Sequence, residues 1–380
     1  MTMLPLLNVA DSEKDADQFY LSGIFVPDPF ALIQHPDGRI IGLFNPLEVA
    51  RAKAESRCHE VWSTSDLIEQ ARRVGMRLGR RSDTATLLVA WARLLGFKGF
   101  QVGSQFPFGL AEKLRKRKLK IKLLKGALCP EREIKSPQEY EAIRTANACS
   151  ANGLARARSI LREAKIGSGQ KLLWQGKTLT SERLQEEIIK ACLDTGGETG
   201  RVIAAGGEQA CDPHAVGSGP LRAGELIIVD IFPRHRKSGY HGDMTRTFLK
   251  GQANPEQRRL VETVRRAQRE AMGKVCDGAS AHQIHQDILA TFARAGYKTT
   301  FKGDQPEGFF HGTGHGLGLE VHEAPRVSVG TPPLREGQVV TIEPGLYYHG
   351  LGGCRIEDVV AVGKDGPVKL SSFPYQWEIA

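Results

Sequence analysis

The order of apolar and polar residues divides the chain into two parts of different character. Through the first 125 residues, short apolar runs such as 30–33 alternate with amphipathic stretches such as 84–95. Strand-length runs that alternate with helical patterns are typical of an α/β domain. Residues 126–135 mix glycine, proline and charged residues and indicate a linker. We therefore expect a small N-terminal α/β domain over 1–130 and a second domain over 131–380.

The second part begins with a strong helix-start signal. Ser136 is suited to the N-cap, Pro137 to the first helical position, and Glu139 completes a capping box. Three further helical patterns, bounded by capping residues or glycines, cover 181–194, 255–273 and 281–295. Runs of strand length cover 226–232, 244–249, 339–342 and 356–362. Short polar loops join successive runs, so we predict an α+β domain with antiparallel pairing.

The net charge of +9 is partly concentrated in one segment. Seven of the ten residues from Lys113 to Lys122 are Lys or Arg. Such a run can bind nucleic acid or an acidic partner, or it can be a solvated helix end that leads into an edge strand. No aromatic residue interrupts it to stack on bases. We therefore predict a surface segment and no nucleic-acid partner.

Other features of the composition argue against several protein classes. Charges interrupt each apolar run before it reaches membrane-spanning length, which predicts no membrane segment. The first 20 residues carry scattered charges and lack the apolar stretch of a signal peptide. The seven cysteines are scattered and form no CxxC pair. This pattern favours reduced thiols and a cytoplasmic location over a disulfide framework or a zinc finger.

Two aspartates form the first candidate for chemistry. Asp230 follows four apolar residues, and Asp243 opens a strand-like run. A polar turn separates them, so a hairpin would bring both carboxylates to one face. A single aspartate at a strand end often only caps a turn, but two neighbouring carboxylates repel each other unless a cation lies between them. We therefore interpret the pair as metal ligands.

A glycine-rich track farther along the chain contains three histidines, His311, His315 and His322. Glu343 then follows a buried-strand pattern, and Glu357 lies inside an apolar run. Glycine allows close approach of the backbone, and imidazole with carboxylates suits Mn²⁺, Co²⁺, Fe²⁺ or Zn²⁺. A buried ion pair with Arg355 is an alternative explanation for Glu357. The combined pattern predicts an oxygen-rich site for a pair of divalent ions.

Five residues, in order and context, resemble the ligand set of the pita-bread metallopeptidases: Asp230, Asp243, His315, Glu343 and Glu357. The stretches 311–322, 343–345 and 355–358 look most like the proline-specific branch, which contains aminopeptidase P and the prolidases. The resemblance covers about residue 136 to the C-terminus. It implies a C-terminal pita-bread fold, a homodimer, and an exopeptidase that removes an N-terminal residue preceding proline from a short peptide.

The same resemblance assigns the ligands. Asp230 and Asp243 would hold one ion, and Asp243, His315 and Glu357 would hold the other. Glu357 would bridge both ions with Asp243, and Glu343 would complete the ligand set of the second ion. Manganese is the expected metal, with cobalt, zinc and iron as alternatives. Glu343 would also take a proton from the water that the ions activate and pass it to the leaving nitrogen.

Substrate roles also follow from the resemblance. His322 would stabilise the tetrahedral oxyanion, and His311 would orient the carbonyl. His214 matches a family histidine near the substrate. The loop 234–237 is basic and makes the interval between the two aspartates longer than the family pattern. With Arg355, this loop would either attract a substrate carboxylate or be a solvent-facing hairpin tip.

The sequence leaves the function open in two respects. It does not distinguish an aminopeptidase from a dipeptidase, and it allows two rivals to the proline-specific peptidase. A pita-bread hydrolase that acts on a non-proline or non-peptide substrate is the second hypothesis. A catalytically idle binding module is a third, although the complete ligand set argues against both rivals.

Overall fold

The structure, a computed structural model, describes residues 4–79, 82–303 and 305–380. The chain forms two compact units, Met1–Arg132 and Glu133–Ala380. All seven cysteines are free thiols. In the described part of the chain, no helix combines the length and the apolar character needed to cross a membrane.

The N-terminal unit is built on one mixed sheet. Its strands are β1 Leu6–Ala10, β2 Phe30–Gln34, β3 Ile40–Phe44, β4 Glu60–Ser63, β5 Gly99–Val102 and β6 Lys120–Leu123. They lie in the order β4-β3-β2-β1-β5-β6. The helices are α1 Ala16–Ser22, α2 Val49–Glu55, α3 Thr64–Arg73, α4 Thr84–Leu94 and α5 Phe108–Lys116.

Apolar side chains of this sheet alternate between two clusters, as the strand period requires. Leu7 and Ile33 pack with residues of α3, α4 and α5, whereas Phe30 and Leu32 pack with residues of α1 and α2. Helices therefore cover both faces, and the predicted α/β architecture is confirmed. The basic run is the end of α5 followed by the edge strand β6, as predicted.

The C-terminal unit contains the remaining elements. Its strands are β7 Lys165–Ile166, β8 Leu172–Trp174, β9 Lys177–Thr178, β10 Gly197–Glu198, β11 Ile203–Gly206, β12 Ile227–Ile231, β13 Arg234–His235, β14 Met244–Lys250, β15 Thr300–Lys302, β16 Gln305–Glu307, β17 Gly314–Gly316, β18 Glu323–Val327, β19 Val339–Ile342, β20 Gly345–Tyr348, β21 Gly352–Arg355, β22 Asp358–Val362, β23 Pro367–Lys369 and β24 Glu378–Ile379. Its α-helices are α6 Pro137–Glu163, α7 Ser181–Asp194, α8 Pro255–Met272 and α9 Ala281–Arg294. Short 3₁₀ helices are η1 Pro130–Glu133, at the boundary of the two units, η2 Ser168–Gln170 and η3 Gly207–Cys211.

Local signals place the long helices where the sequence predicts them. Ser136 and Glu139 form the expected capping box, with Pro137 in the first turn of α6. Asn254 caps α8 in the same way, and Ser280 accepts a hydrogen bond at the start of α9. These caps satisfy backbone N–H groups that a helix start leaves free.

Two sheets, each covered by a pair of helices, position the site. Strands β11, β12, β14 and β24 form one sheet, and β18, β17, β19, β22 and β23 form the other. Ile227, Val229 and Ile231 pack against α6 and α7, while Val340 and Ile342 pack against α8 and α9. Because side chains alternate along a strand, the residues between them face away from the helices. These opposite faces carry the polar residues of the candidate site.

One predicted strand begins later than expected. The apolar run 356–362 predicts a continuous strand, but β22 starts at Asp358. The backbone N–H of Glu357 instead donates to the carbonyl oxygen of Thr245, in the other sheet. This contact interrupts the strand at the residue whose carboxylate enters the site.

Candidate metal centre

The two aspartates lie on one face of the β12–β14 pair. Asp230 is paired with Thr245 in the antiparallel register, and Asp243 precedes Thr245 by two residues. Residues two apart on a strand share a face, so both carboxylates project from the same side. Both residues are buried, with 8% and 3% of their surface exposed. The hairpin predicted from the sequence is confirmed.

The second sheet supplies the imidazole and the glutamates. His315 is the middle residue of β17, Glu343 follows β19, and Glu357 lies between β21 and β22. The Nε2 atom of His315 lies 3.6 Å from Asp243 Oδ2, 3.5 Å from Glu343 Oε1 and 4.0 Å from Glu357 Oε1. One imidazole therefore faces three carboxylates that are far apart in sequence.

Glycines in the histidine track permit this approach of the strands. A Cβ atom on Gly314 would overlap the carbonyl oxygen of Thr341, and one on Gly316 would overlap that of Ala324. Only glycine fits where two backbones come so close. The track therefore holds His315 tightly between its neighbouring strands.

Hydrogen bonding fixes which nitrogen of His315 faces the acids. The Nδ1 atom lies 3.1 Å from the carbonyl oxygen of Gly316, which can only accept, so Nδ1 carries the proton. Nε2 then presents a lone pair to the carboxylates, as a metal ligand must. Burial lowers the pKa of His315 to about 3, and the positive charge of His322 adds to this shift. The imidazole is neutral at ordinary pH.

The carboxylates are electrostatically strained without a cation. Burial, followed by repulsion from Glu357 and Asp230, raises the pKa of Asp243 well above its usual range. Burial and repulsion from Glu343 and Asp230 do the same for Glu357. Burial also raises the pKa of Glu343 to about 7. A divalent cation among these groups would turn the repulsion into attraction.

An unpaired oxygen tests whether the residues fit such an ion. Asp230 Oδ2 accepts a hydrogen bond of 2.8 Å from Arg355, but the buried Oδ1 atom has no hydrogen-bond partner within the described part of the chain. A buried orphan oxygen is costly unless something else coordinates it. Ligand atoms of Asp243, His315 and Glu357 lie within 4.8 Å of one another. The donor set and the orphan oxygen fit divalent-metal ligation.

Neighbouring polar groups orient these carboxylates. Thr245 Oγ1 donates to Glu357 Oε2 over 2.7 Å, and the side-chain oxygen of Asn147 accepts from the backbone N–H of Asp243 over 3.1 Å. Arg246 donates to the backbone oxygen of Glu357 over 2.7 Å. Metal ligands are commonly held in this way by a surrounding layer of hydrogen bonds.

Arg355 has different partners from those considered in the sequence. The guanidinium is 3% exposed and pairs with Asp230, not with Glu357. It also donates to the hydroxyl of Tyr347 over 3.0 Å, and its Nε lies 3.5 Å from Thr245 Oγ1. The Arg355–Glu357 ion pair, the alternative explanation for Glu357 from the sequence, is therefore not formed between these two described residues. Binding of a substrate carboxylate by Arg355 stays a prediction.

The basic loop 234–237 is at a hairpin tip. Strand β13 pairs with β10, and Arg236 and Lys237 are exposed. Arg236 Nε lies 3.8 Å from Glu198 Oε1, a separation that contributes little at the surface. These contacts favour the solvent-facing interpretation of the loop.

Three further histidines lie around the acids. His311 Nδ1 contacts the carbonyl oxygen of Gly312 at 2.8 Å, and its Nε2 lies 2.9 Å from the Tyr347 hydroxyl. Burial, aided by Arg355 and His214, lowers the pKa of His311 to about 3. The exposed ring of His322 meets the His315 ring edge-to-face at 4.3 Å.

His214 is exposed on the loop after η3. Burial is the main reason that the pKa of His322 falls, and Arg326 and His214 contribute. His214 thus acts electrostatically on both His311 and His322. The predicted substrate histidines lie near one another.

Sequence reasoning missed Tyr347, whose hydroxyl connects His311 to Arg355 and hence to Asp230. A signal for it exists in the strand period. Glu343, Gly345 and Tyr347 are spaced two residues apart, and side chains two apart in an extended segment point to the same side. Tyr347 would therefore be expected on the same side as Glu343. Asn147 carried no comparable signal because it is one polar residue within a long helix.

Comparison with known proteins identifies the family. The pattern of metallopeptidase family M24 matches residues 141–364. The chain belongs to this family. It is 32% identical over 282 residues to an Xaa-Pro dipeptidase of Pyrococcus horikoshii. The aligned region covers 73% of this chain and 74% of that relative. The peptidase activity implied by the sequence is thereby confirmed at the level of the family.

Solved structures share the fold of this M24 peptidase. The prolidase from Pyrococcus horikoshii is 26% identical, with a TM-score of 0.77, over 98% of this chain and 95% of that chain. The X-Pro aminopeptidase from Thermotoga maritima has a TM-score of 0.81 over 100% of this chain and 98% of that chain, at 21% identity. The predicted α+β, pita-bread fold is confirmed.

Proposed function

We propose that this M24 peptidase is an exopeptidase that uses two divalent ions to hydrolyse the bond between an N-terminal residue and proline. The observation that carries the proposal is the buried cluster of three carboxylates around the Nε2 atom of His315. The likeness to an Xaa-Pro dipeptidase and to a prolidase supports proline specificity. We assign the catalytic domain to 131–380 and the N-terminal α/β domain to 1–130, a division that the two compact units support.

The ligand assignment follows the donor set. Five residues would hold the ions: Asp230, Asp243, His315, Glu343 and Glu357. Divalent ions at such a site polarise the scissile carbonyl and lower the pKa of a water nucleophile. We propose Mn²⁺, with Co²⁺, Zn²⁺ or Fe²⁺ as alternatives, because carboxylate oxygens predominate over nitrogen and no sulfur ligand is included.

The surrounding residues would perform the remaining steps. Glu343, whose pKa burial brings to about 7 in the absence of metal, is suited to accept a proton from water and deliver it to the proline nitrogen. His322, exposed beside His315, would donate a hydrogen bond to the developing oxyanion. The contacts of His311 with Gly312 and Tyr347 hold its ring so that it can orient the substrate carbonyl.

We propose a short peptide with proline at the second position as substrate, bound near His214 and His311. No aromatic residue accompanies the basic run 113–122, so we propose no nucleic-acid partner. A homodimer follows from the family resemblance, and the free cysteines support a cytoplasmic location.

The experiment that tests this function compares three peptides with one preparation of Mn²⁺-loaded enzyme. We expect release of alanine from Ala-Pro or Ala-Pro-Ala and much slower cleavage of Ala-Ala. Glu343→Gln should abolish cleavage, whereas the exposed Glu336→Gln in the same unit should not. Equal cleavage of all three peptides would contradict proline specificity, and undiminished activity in Glu343→Gln would contradict the mechanism.

A second comparison addresses peptide length. If the basic loop or Arg355 attracts the substrate carboxylate, Arg236→Ala should slow Ala-Pro cleavage more than Ala-Pro-Ala cleavage. Parallel losses on both peptides would rule out carboxylate selection by Arg236. The relative rates for the wild-type enzyme separate a dipeptidase from an aminopeptidase directly.

A further inference from the structure

A second group of metal-ligating side chains lies beside the β20–β21 hairpin. Glu208 and Cys211 are on η3, and His349 is in the hairpin turn after β20. Residues three apart on a 3₁₀ helix are on the same side, so Glu208 and Cys211 face the hairpin together. One ligand atom from each of the three residues lies within 4.8 Å of the others.

We propose that Glu208, Cys211 and His349 form a peripheral zinc site, distinct from the catalytic ions. A thiolate and an imidazole favour zinc over manganese or magnesium. Three protein ligands with an open fourth position are a common zinc arrangement. Zinc bonds of about 2.0–2.3 Å place the ligand atoms roughly 3.5 Å apart, so a separation at the 4.8 Å limit would need to close by about 1 Å.

The local structure allows this closure. The side chains of Glu208 and His349 are 62% and 36% exposed, so both can rotate and an ion can enter from solvent. Cys211 is 4% exposed and supplies a fixed sulfur at the inner end. These two exposed ligands are already in contact, because His349 Nδ1 lies 2.9 Å from Glu208 Oε2.

The hairpin backbone supports both the sulfur and the carboxylate. The N–H of Gly350 donates to Glu208 Oε1 over 2.6 Å. The backbone groups of Gly352 and Tyr348 favour the thiolate form of Cys211 and so lower its pKa. Burial and the Glu208 charge raise the pKa of Cys211 to about 12, so zinc binding would break the S–H bond and release its proton to solvent.

A fourth oxygen donor lies nearby. Glu307 Oε1 accepts a hydrogen bond of 3.1 Å from the backbone N–H of His349, and its charge also acts on Cys211. Either Glu307 or a water can therefore complete four ligands. The alternative is that Glu208 and His349 form only an ion pair beside a buried thiol. This arrangement would have the same geometry in the metal-free protein, but it would form no sulfur–metal bond when metal is added.

Zinc at this position would act on the catalytic region through packing. Cys211 packs in one cluster with Tyr347, whose hydroxyl contacts His311. His214 is three residues beyond Cys211 on the same segment. An ion that joins η3 to the hairpin would restrict the segment that carries His214, so we expect zinc to raise the thermal midpoint of the full-length protein.

The test uses Co²⁺ as the probe on the intact chain. The catalytic ligand set contains oxygen and nitrogen only, so a thiolate-to-cobalt charge-transfer band in the near ultraviolet reports a cysteine-containing site. We expect the final intensity of this band to correspond to one thiolate-bound Co²⁺ per chain, in addition to the Co²⁺ that the catalytic ligands take up. It should be lost in Cys211→Ser and retained in Cys276→Ser, a partly exposed cysteine that serves as the matched control.

A second variant tests the same site in case Cys211→Ser does not fold. His349 is exposed in a turn, so His349→Ala should fold normally and weaken cobalt binding, measured by the band, by at least about tenfold. The band should persist in Asp243→Asn, which alters only the catalytic ligands. Absence of the band in the wild-type protein, or its survival in both Cys211→Ser and His349→Ala, would overturn the proposal. These outcomes do not depend on peptidase activity.

Discussion

The buried hydrogen bond from Thr245 to Glu357 leads to a quantitative prediction about metal affinity. Thr245 is fully buried, and its Oγ1 donates to Glu357 Oε2 over 2.7 Å. Thr245→Val keeps the shape of the side chain and removes this donor. Because Glu357 must be ionised to bind metal, the lost bond is charge-assisted in the metal-bound protein and is worth about 1.5–3 kcal/mol.

In the metal-free protein the same bond is weaker. Burial and the neighbouring carboxylates raise the pKa of Glu357 well above its usual range, which favours the neutral, protonated form of its carboxyl when no metal is bound. A bond between neutral groups contributes about 0.5–1.5 kcal/mol. The difference between the two states, about 1–1.5 kcal/mol, appears as metal affinity, and it corresponds to roughly a tenfold rise in Kd.

The assay is titration of metal-free protein with Mn²⁺ by calorimetry, together with urea unfolding of the metal-free form. Thr247→Val is the matched control, since Thr247 is 2% exposed on the same face of the same strand. Its hydroxyl bonds the backbone of Arg355 at 3.0 and 3.1 Å and touches no proposed ligand carboxylate. The control should lose stability and keep its metal affinity. An unchanged Kd in Thr245→Val, or an equal rise in both variants, would refute the reasoning.

Three further results are expected. Burial raises the pKa of Glu343 from 4.5 to about 7, so the folded metal-free protein binds more protons than the unfolded chain between these pH values. Its unfolding free energy, measured with urea, should therefore fall by on the order of 3 kcal/mol as the pH rises through this window. The same measurement on Glu343→Gln should show a weaker dependence on pH. Tyr347→Phe removes the hydroxyl 2.9 Å from His311 Nε2 and should lower unfolding free energy by about 1–3 kcal/mol, a loss that an unchanged urea midpoint would contradict. His322→Ala should reduce kcat about 100-fold on Ala-Pro with unchanged Mn²⁺ affinity, because the ring lies beside His315 without bonding it; a loss of metal binding instead would make His322 a ligand.

Residues whose positions follow from short-range patterns were predictable. The Asp230–Asp243 hairpin follows from strand periodicity and a polar turn, and the structure pairs its strands as expected. The start of α6 at Ser136 follows from its capping box. Both depend on residues close in sequence, where local chemistry determines the conformation.

Contacts between segments that are distant in sequence were harder to predict from the sequence. The partner of Arg355 is Asp230, 125 residues away, whereas the only partner that the sequence offered as an alternative was its near neighbour Glu357. Choosing between the two requires the packing of both sheets, because Glu357 leaves the strand when its N–H bonds Thr245. The meeting of Cys211 with His349 depends in the same way on how η3 lies against the hairpin.

The measurement that tests the central claim most directly is metal titration coupled to turnover. Chelated protein receives increments of Mn²⁺ while bound ion and hydrolysis of Ala-Pro and Ala-Pro-Ala are followed together. We predict no hydrolysis in the metal-free protein and full activity when about two ions are bound per chain, with His315→Ala failing to recover activity at the same ion concentration. Full hydrolysis by the chelated protein, or none with Mn²⁺, Co²⁺ or Zn²⁺, would contradict the account.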